Sequence, residues 1–431
     1  MNRSKKFYLS LVIFSLVGQV AWVVENMYLN VFIYKMFNAS AESISAMVGA
    51  SAVTATVTTL LIGALSDKVG RRKAFICGGY ILWGLSILGF ALIREDLVGR
   101  AFFPAVSFSG AALSLCITLT IALDCIMTFF GSSANDAAFN AWLTDSTDET
   151  NRGKVEGINA MMPLVAILVV FGGFMGLNQD LQESWTIIFC VIGGIVVALG
   201  VAGIFLIEDT AAKTEGNGNY FANIFYGFRP GVIQENKTLY IALVVYALFN
   251  IAIQIYMPYL ILYYSVSLGM DNYVLIMAPA IILAAAFTAV YGRVYDSKGF
   301  RAAVIPSMAL LMAGFLLLFL FKNTALVFVG SLLMMCGYLS GMAIFGALIR
   351  DYTPKNKAGM FQGLRICFQV LIPGIIGPAI GAAVLKNAEQ ILNADGTYSF
   401  VPNENIFLAA FIAAAVTVLC LLPVFAMMKK K

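Results

Sequence analysis

The 431-residue sequence has no histidine and little charge: Asp, Glu, Lys and Arg make up 12% of it, against roughly 25% in an average soluble domain. Without histidine a His-based proton relay is excluded, and a carboxylate must carry any transferred proton. The cysteines (Cys77, Cys116, Cys125, Cys190, Cys336, Cys367 and Cys420) are scattered through apolar segments without metal-ligand spacing and read as small buried side chains. No nucleotide-phosphate loop occurs, and the polar segments are too short to hold a catalytic domain. An enzyme is therefore not expected, and neither is a metal or a cofactor. The net charge of +4 has no soluble basic domain to carry it, so nucleic-acid binding is not expected either.

What the chain does have is apolar length. Hydrophobic residues make up 61%, the mean hydropathy is +0.88, and runs of about 20 residues, enough to cross a bilayer core, recur throughout. Twelve spans are predicted, at about 8–36, 44–65, 75–93, 109–134, 155–177, 185–207, 238–266, 273–292, 302–321, 325–349, 360–385 and 405–427. The first is too long for a signal peptide and is interrupted by Glu25, Asn26 and Asn30, so it counts as a span. The expected class is an all-α integral membrane protein. Of the 27 lysines and arginines, 21 fall on one side when the N-terminus is taken as cytoplasmic; Lys35, Arg94, Arg100, Lys322 and Lys386 fall on the other, and Arg365 lies within a span. This bias places both termini in the cytoplasm.

The longest polar stretch between spans, 208–236, divides the chain into a bundle at 1–207, a cytoplasmic loop and a second bundle at 237–431, with six spans each. Two echoes relate the halves. "GALSDKVGRRKAF" at 63–75 aligns with "GRVYDSKGFRAAV" at 292–304, setting Gly63 on Gly292, Asp67 on Asp296, Gly70 on Gly299 and Arg72 on Arg301. "DSTDETNRGKVEG" from Asp145 aligns with "DYTPKNKAGMFQG" from Asp351. Corresponding loops that repeat in this way mark structural repeats.

The stretch "GALSDKVGRRK" resembles the signature loop of the major facilitator superfamily, G-x-L-x-D-[RK]-x-G-R-[RK], and the twelve-span layout covers the whole chain. The resemblance implies two pseudo-symmetric six-helix bundles that transport a solute by alternating access. Gly63, Asp67, Gly70, Arg71, Arg72, Asp145, Asp296, Arg301 and Asp351 are then expected to form a latch, with Asp67 at a helix end and Arg71 and Arg72 pairing with carboxylates such as Asp145. The segments "NDAAFNAWLTD" and "DYTPKNKAGMFQGLR" are similar to those of the glycoside-pentoside-hexuronide cation symporters, and "GQVAWVVENMYLN" to the start of the related sucrose/proton symporters. This likeness implies a sugar or glycoside carried with a cation across the cell membrane by a protein that needs to be no more than a monomer. The helix 2 aspartate pair of the sodium-binding members is missing: the region reads "TATVTTLLIG". Proton coupling or simple facilitation thereby gains weight over a sodium cage.

The spans themselves supply candidates, because polar groups within a membrane are costly and usually face a cavity. Gln19, Trp22, Asn26 and Asn30 form one face of span 1, with Glu25 in its distal half. Asp136 and Asn140 lie near the end of span 4; Asp124 is 12 residues earlier, rotated by about 120° on an ideal helix. Glu25, Asp124 and Asp136 are the candidates for cation coupling. Tyr246, Asn250 and Gln254 are spaced by four on span 7, and Arg365 and Gln369 mark span 11 with Gln362. An intramembrane arginine needs an anion or a route to the surface; Asp136 is the candidate anion. Amides, hydroxyls and aromatic rings around few charges suit a neutral polyol better than an anion or a large drug. The alternatives are polar groups that only cement helix contacts, and a proton antiporter exporting drugs or other small organic solutes. Pro163 and the run at 373–381 are expected flexures or sites of tight packing. If the loop at 63–75 is a latch, Asp67→Asn will shift cysteine accessibility toward the inward-facing pattern; unchanged accessibility on the two sides refutes it.

Overall fold

A computed structural model describes residues 3–103, 110–147, 152–208, 226–270, 272–354, 358–393 and 396–428. Its helices are α1 (Lys5–Phe37), α2 (Ala41–Val69), α3 (Arg72–Phe90), α4 (Gly110–Asp145), α5 (Arg152–Phe174), α6 (Gln182–Leu206) and α7 (Lys237–Ser267). The helical stretch Val274–Leu320 breaks at Gly299 into α8 (274–298) and α9 (300–320), followed by α10 (Thr324–Tyr352), α11 (Gly363–Leu385) and α12 (Asn405–Met428). Among the described residues ten helices are long and apolar enough to cross a membrane. The shorter apolar Ile158–Phe174 and the division at Gly299 complete the twelve expected spans.

Local chemistry sets several of these boundaries. Ser40 opens α2 by accepting a hydrogen bond from the Ser43 amide, and Asn323 does the same for α10 at Ala325, each satisfying a free backbone donor. Gly70 ends α2 at φ 68° and Gly299 ends α8 at φ 78°. These two glycines are the positions that the sequence alignment pairs, and both adopt the left-handed backbone that a side chain disfavours. The loop motif and its worn copy therefore both turn at a glycine of positive φ, but in different conformations, with ψ 12° at Gly70 and 177° at Gly299.

Contacts divide the chain into two compact units, Met1–Ser43 with Ala50–Gly218, and Ile44–Gly49 with Asn219–Lys431. Each has the same internal pattern. In the first, α1 packs on α5 and α6 while α3 packs on α4 and α6; in the second, α7 packs on α11 and α12 while α9 packs on α10 and α12. Corresponding helices thus meet corresponding partners, as a repeat requires. Small residues permit the closest approaches: a Cβ on Gly337 of α10 would stand 2.4 Å from the Leu311 backbone nitrogen of α9.

Two features lie outside the twelve expected spans. A short helix, Glu95–Phe102, follows α3, and an antiparallel ribbon between α11 and α12 pairs Gln390–Leu392 with Tyr398–Phe400, setting Leu392 opposite Tyr398. The helix packing gives a direct test. Gly337→Val will destabilise the protein by about 1–3 kcal/mol through overpacking, lowering the thermal midpoint in detergent, whereas Gly194→Val, which meets open space, will leave it unchanged.

Candidate functional site

Four helices leave α-geometry for a π turn: α1 at Val24–Tyr28, α4 at Ser132–Phe139, α7 at Tyr263–Ser267 and α11 at Cys367–Leu371. Single π turns inside α-helices concentrate at functional sites, and here they hold Glu25, Asp136 and Gln369. The α4 segment, SSANDAAF, is rich in side chains that compete for backbone groups. Ser133 donates to the Phe129 carbonyl at 2.6 Å and Asn140 to that of Asp136 at 3.2 Å. Of the expected flexures or sites of tight packing, Pro163 lies within continuous α5, and the run at 373–381 packs closely, with Gly377 against Gln254.

Glu25 is 6% exposed. Its Oε1 accepts from Ser51 Oγ of α2 at 2.6 Å and from Thr128 Oγ1 of α4 at 2.9 Å, and these two hydroxyls lie 2.8 Å apart. Its Oε2 is buried without a partner, as is Oδ1 of Asp124, which is 2% exposed and acts electrostatically on Glu25. None of the ion pairs among the described residues involves Glu25, Asp124 or Asp136. Several kcal/mol oppose each uncompensated buried charge, so this group of acids requires a neutralising species.

Asp136 is half-buried. It accepts from Ser132 Oγ and Asn135 Nδ2, both at 3.1 Å, with the Trp22 indole beside it. Asn135 Oδ1 accepts in turn from the Tyr80 hydroxyl at 2.9 Å, and Trp22 packs on Trp83 at 5.0 Å between ring centroids. On an ideal helix Asp124 and Asp136 would face different ways. Asp136 lies within the π turn of α4, and both carboxyls act on Glu25.

The α1 stripe is divided. Trp22 and Gln19 are half-buried; Asn26 is exposed and donates to the Trp22 carbonyl at 2.8 Å. Asn30 donates to the Asn26 carbonyl at 2.9 Å and keeps a buried oxygen without a partner. Within the second bundle Arg365 Nε donates to Gln369 Oε1 at 3.2 Å and lies against the Tyr246 phenol. Asn250 donates to the Tyr246 carbonyl at 2.8 Å. Tyr246 is buried against Phe345 and Gln254 is half-buried at the contact with α11. The side chain of Gln362 lies outside the described residues.

Sequence reasoning overlooked Ser51, Thr128, Ser132, Asn135 and Tyr80. Part of this was legible, since Asp124, Thr128, Ser132, Asp136 and Asn140 recur at intervals of four along one helix. Of the threonines in the TATVTTLLIG stretch of α2, Thr54 and Thr56 donate to the carbonyls of Ala50 and Ala52, whereas the Thr59 hydroxyl is buried without a partner.

The repeated loops differ in their bonding. Arg72 is 4% exposed; its Nε pairs with Asp145 Oδ2 at 3.2 Å and its guanidinium donates to Ser66 Oγ at 2.6 Å. Arg71 is exposed at the turn. In the second copy Arg301 lies over the Phe425 ring at 5.3 Å and Asp351 accepts from the Tyr295 hydroxyl, while Asp296 is exposed. A latch of ion pairs in both loops was expected; the described residues hold one in the first loop alone, because Arg301 is turned onto an aromatic face. The side chain of Asp67 lies outside the described residues, and Gly63 lies within α2.

Two six-helix repeats of membrane-spanning length, each with polar groups at π turns, are the architecture of a solute carrier rather than an enzyme. The chain matches the model of the Major Facilitator Superfamily over residues 9–378 and belongs to that family. Its fold is similar to that of the nucleoside transporter NupG (TM-score 0.67, 16% identity, 100% of each chain covered) and of a D-xylose-proton symporter (TM-score 0.71, 12% identity, 96% of this chain and 97% of that one). It is also similar to a bacterial homolog of the human lysosomal transporter Spinster (TM-score 0.67, 14% identity, 99% and 96% covered). No curated protein sequence matches the chain.

The unequal loops give unequal sensitivity. Arg72→Ala removes the charge-assisted bonds to Asp145, which is exposed, and to Ser66, which still donates to the Gly63 carbonyl, and will cost about 1.5–3 kcal/mol; Arg301→Ala loses an exposed cation–π contact worth about 0.5–1 kcal/mol. Thermal unfolding of the two variants in detergent checks the difference.

Proposed function

We propose that the protein is a secondary active transporter of the cell membrane that carries a neutral sugar or glycoside together with a proton, by alternating access, with both termini cytoplasmic. The observation that carries this reading is the buried, oxygen-only surroundings of Glu25, with Asp124 and Asp136 close by and no cationic side chain paired to any of the three. A proton neutralises such a group without a metal, and a second species that binds only when the proton is present becomes coupled to it. In this reading Glu25 and Asp124 hold the coupling ion. Asp136, with Trp22, Asn135 and the amides Gln19, Asn26 and Asn140, belongs to the solute side.

The solute class follows from the groups available. Amides and hydroxyls offer the paired donors and acceptors that sugar hydroxyls need, and Trp22 offers a flat face for the ring. In the second bundle Tyr246, Asn250, Gln254, Arg365 and Gln369 contribute groups of the same kind. The solutes that name two structural neighbours, a nucleoside transporter and a D-xylose-proton symporter, lie in this class, since a nucleoside is chemically an N-glycoside. They support the class without selecting its member.

The test is uptake of labelled pentoses, disaccharides and nucleosides into proteoliposomes under separately imposed proton and sodium gradients. Accumulation above equilibrium under the proton gradient is expected, together with at least a tenfold loss of accumulation and retained exchange in Glu25→Gln. Accumulation driven by sodium alone refutes the proton reading, and absence of flux for every solute moves the assignment to an exporter of other organic molecules.

A further inference from the structure

Three oxygens from three helices meet at Glu25. Ser51 Oγ stands 2.6 Å from Glu25 Oε1, Thr128 Oγ1 stands 2.9 Å from the same oxygen, and the two hydroxyl oxygens stand 2.8 Å apart. All three separations are hydrogen-bond distances, so the triangle has three edges to fill. The two hydroxyls bring two hydrogens and a carboxylate brings none. With two hydrogens, one edge would leave lone pairs facing each other at under 3 Å in a buried site.

A third hydrogen on Glu25 closes the triangle. The acid donates to Ser51, Ser51 donates to Thr128 and Thr128 donates back to Glu25, one hydrogen to each edge. The shortest edge is the one assigned to the acid proton, and carboxyl donors make short bonds. The free Oε2 is then a carbonyl oxygen rather than part of a charged group, and an unpaired neutral acceptor is far less costly to bury than an unpaired charge. The same three oxygens around a cation at about 2.4 Å would stand about 3.4 Å from each other in octahedral geometry, too far apart to keep the ring's hydrogen bonds.

We propose that Ser51 and Thr128 determine the ion specificity of this site, because they close with Glu25 a hydrogen-bond ring that the protonated acid completes and a bound metal cation would break. The proposal rests on the reading of Glu25 as the coupling site. The titratable groups that act on Glu25 are Asp124, Cys125 and Asp136, all on α4; α2 brings hydroxyls alone to the ring. Neither hydroxyl is a coupling group itself. Both are positioning residues, and their effect is on which ion the acid accepts.

Infrared difference spectroscopy on the full-length protein in liposomes, without solute, tests this directly. A protonated carboxyl C=O band is expected at neutral pH in the native protein and is expected to be absent from Glu25→Gln. In Ser51→Ala/Thr128→Val the band is expected to move to the frequency of a carboxyl with fewer hydrogen bonds. Ser51→Thr/Thr128→Ser, which keeps both hydroxyls, is expected to restore the native position. Carboxylate bands alone in the native protein, loss of the acid band on adding sodium at fixed pH, or an unmoved band in Ser51→Ala/Thr128→Val would each overturn the proposal. Because no solute is present, failure of the sugar assignment in uptake assays leaves this result standing, and the reverse also holds.

Discussion

The constraint on which the rest of the structure depends is charge neutrality inside a low-dielectric medium. Glu25 and Asp124 are almost wholly buried on helices of membrane-spanning length, and neither is in an ion pair. Polar groups in such a place persist only with partners, and the first bundle is arranged to supply them. α2 brings Ser51, α4 brings Thr128, and α1 gives up α-geometry at Val24–Tyr28 where Glu25 meets both. The second concession is on α4, where the π turn at Ser132–Phe139 places Asp136 among Ser132, Asn135 and Trp22. Backbone regularity is lost at the positions where ionisable groups need company.

Pseudo-symmetry supplies the frame and sequence divergence supplies the function. Equivalent helices meet equivalent partners in the two bundles, and Gly70 and Gly299 both end a helix at positive φ. The chemistry mounted on this frame is unequal. The first bundle carries the carboxyls, whereas the second carries Arg365 with Gln369, Tyr246 and Asn250. The same inequality appears in the loops, where Arg72 is buried in an ion pair and Arg301 rests on Phe425. A repeated backbone constrains packing at every position, while a polar side chain is constrained only by its own surroundings, so the polar groups are free to diverge first.

Much of the fold was legible in the sequence because membrane insertion imposes a one-dimensional code. Span length and the spacing of Gly63, Asp67 and Gly70 are properties of a linear string. The Asp124 to Asn140 series was legible in the same sense, as a period of four on one helix. The ribbon at 390–400 was not, since two three-residue strands leave no periodic signal.

By itself the sequence determined the membrane class, the twelve spans, the division into two repeats and the family, all of which follow from local hydropathy and from motifs read along the chain. Only the tertiary structure decided that Ser51 and Thr128 belong to Glu25, that Asp136 shares a network with Asn135 and Tyr80, and that one loop holds an ion pair while its copy does not. Those outcomes depend on which faces of α1, α2 and α4 meet and on where a helix widens by a π turn. Side chains 26 and 103 residues apart in sequence come within hydrogen-bond distance of Glu25, and no periodicity along a single helix encodes such a meeting.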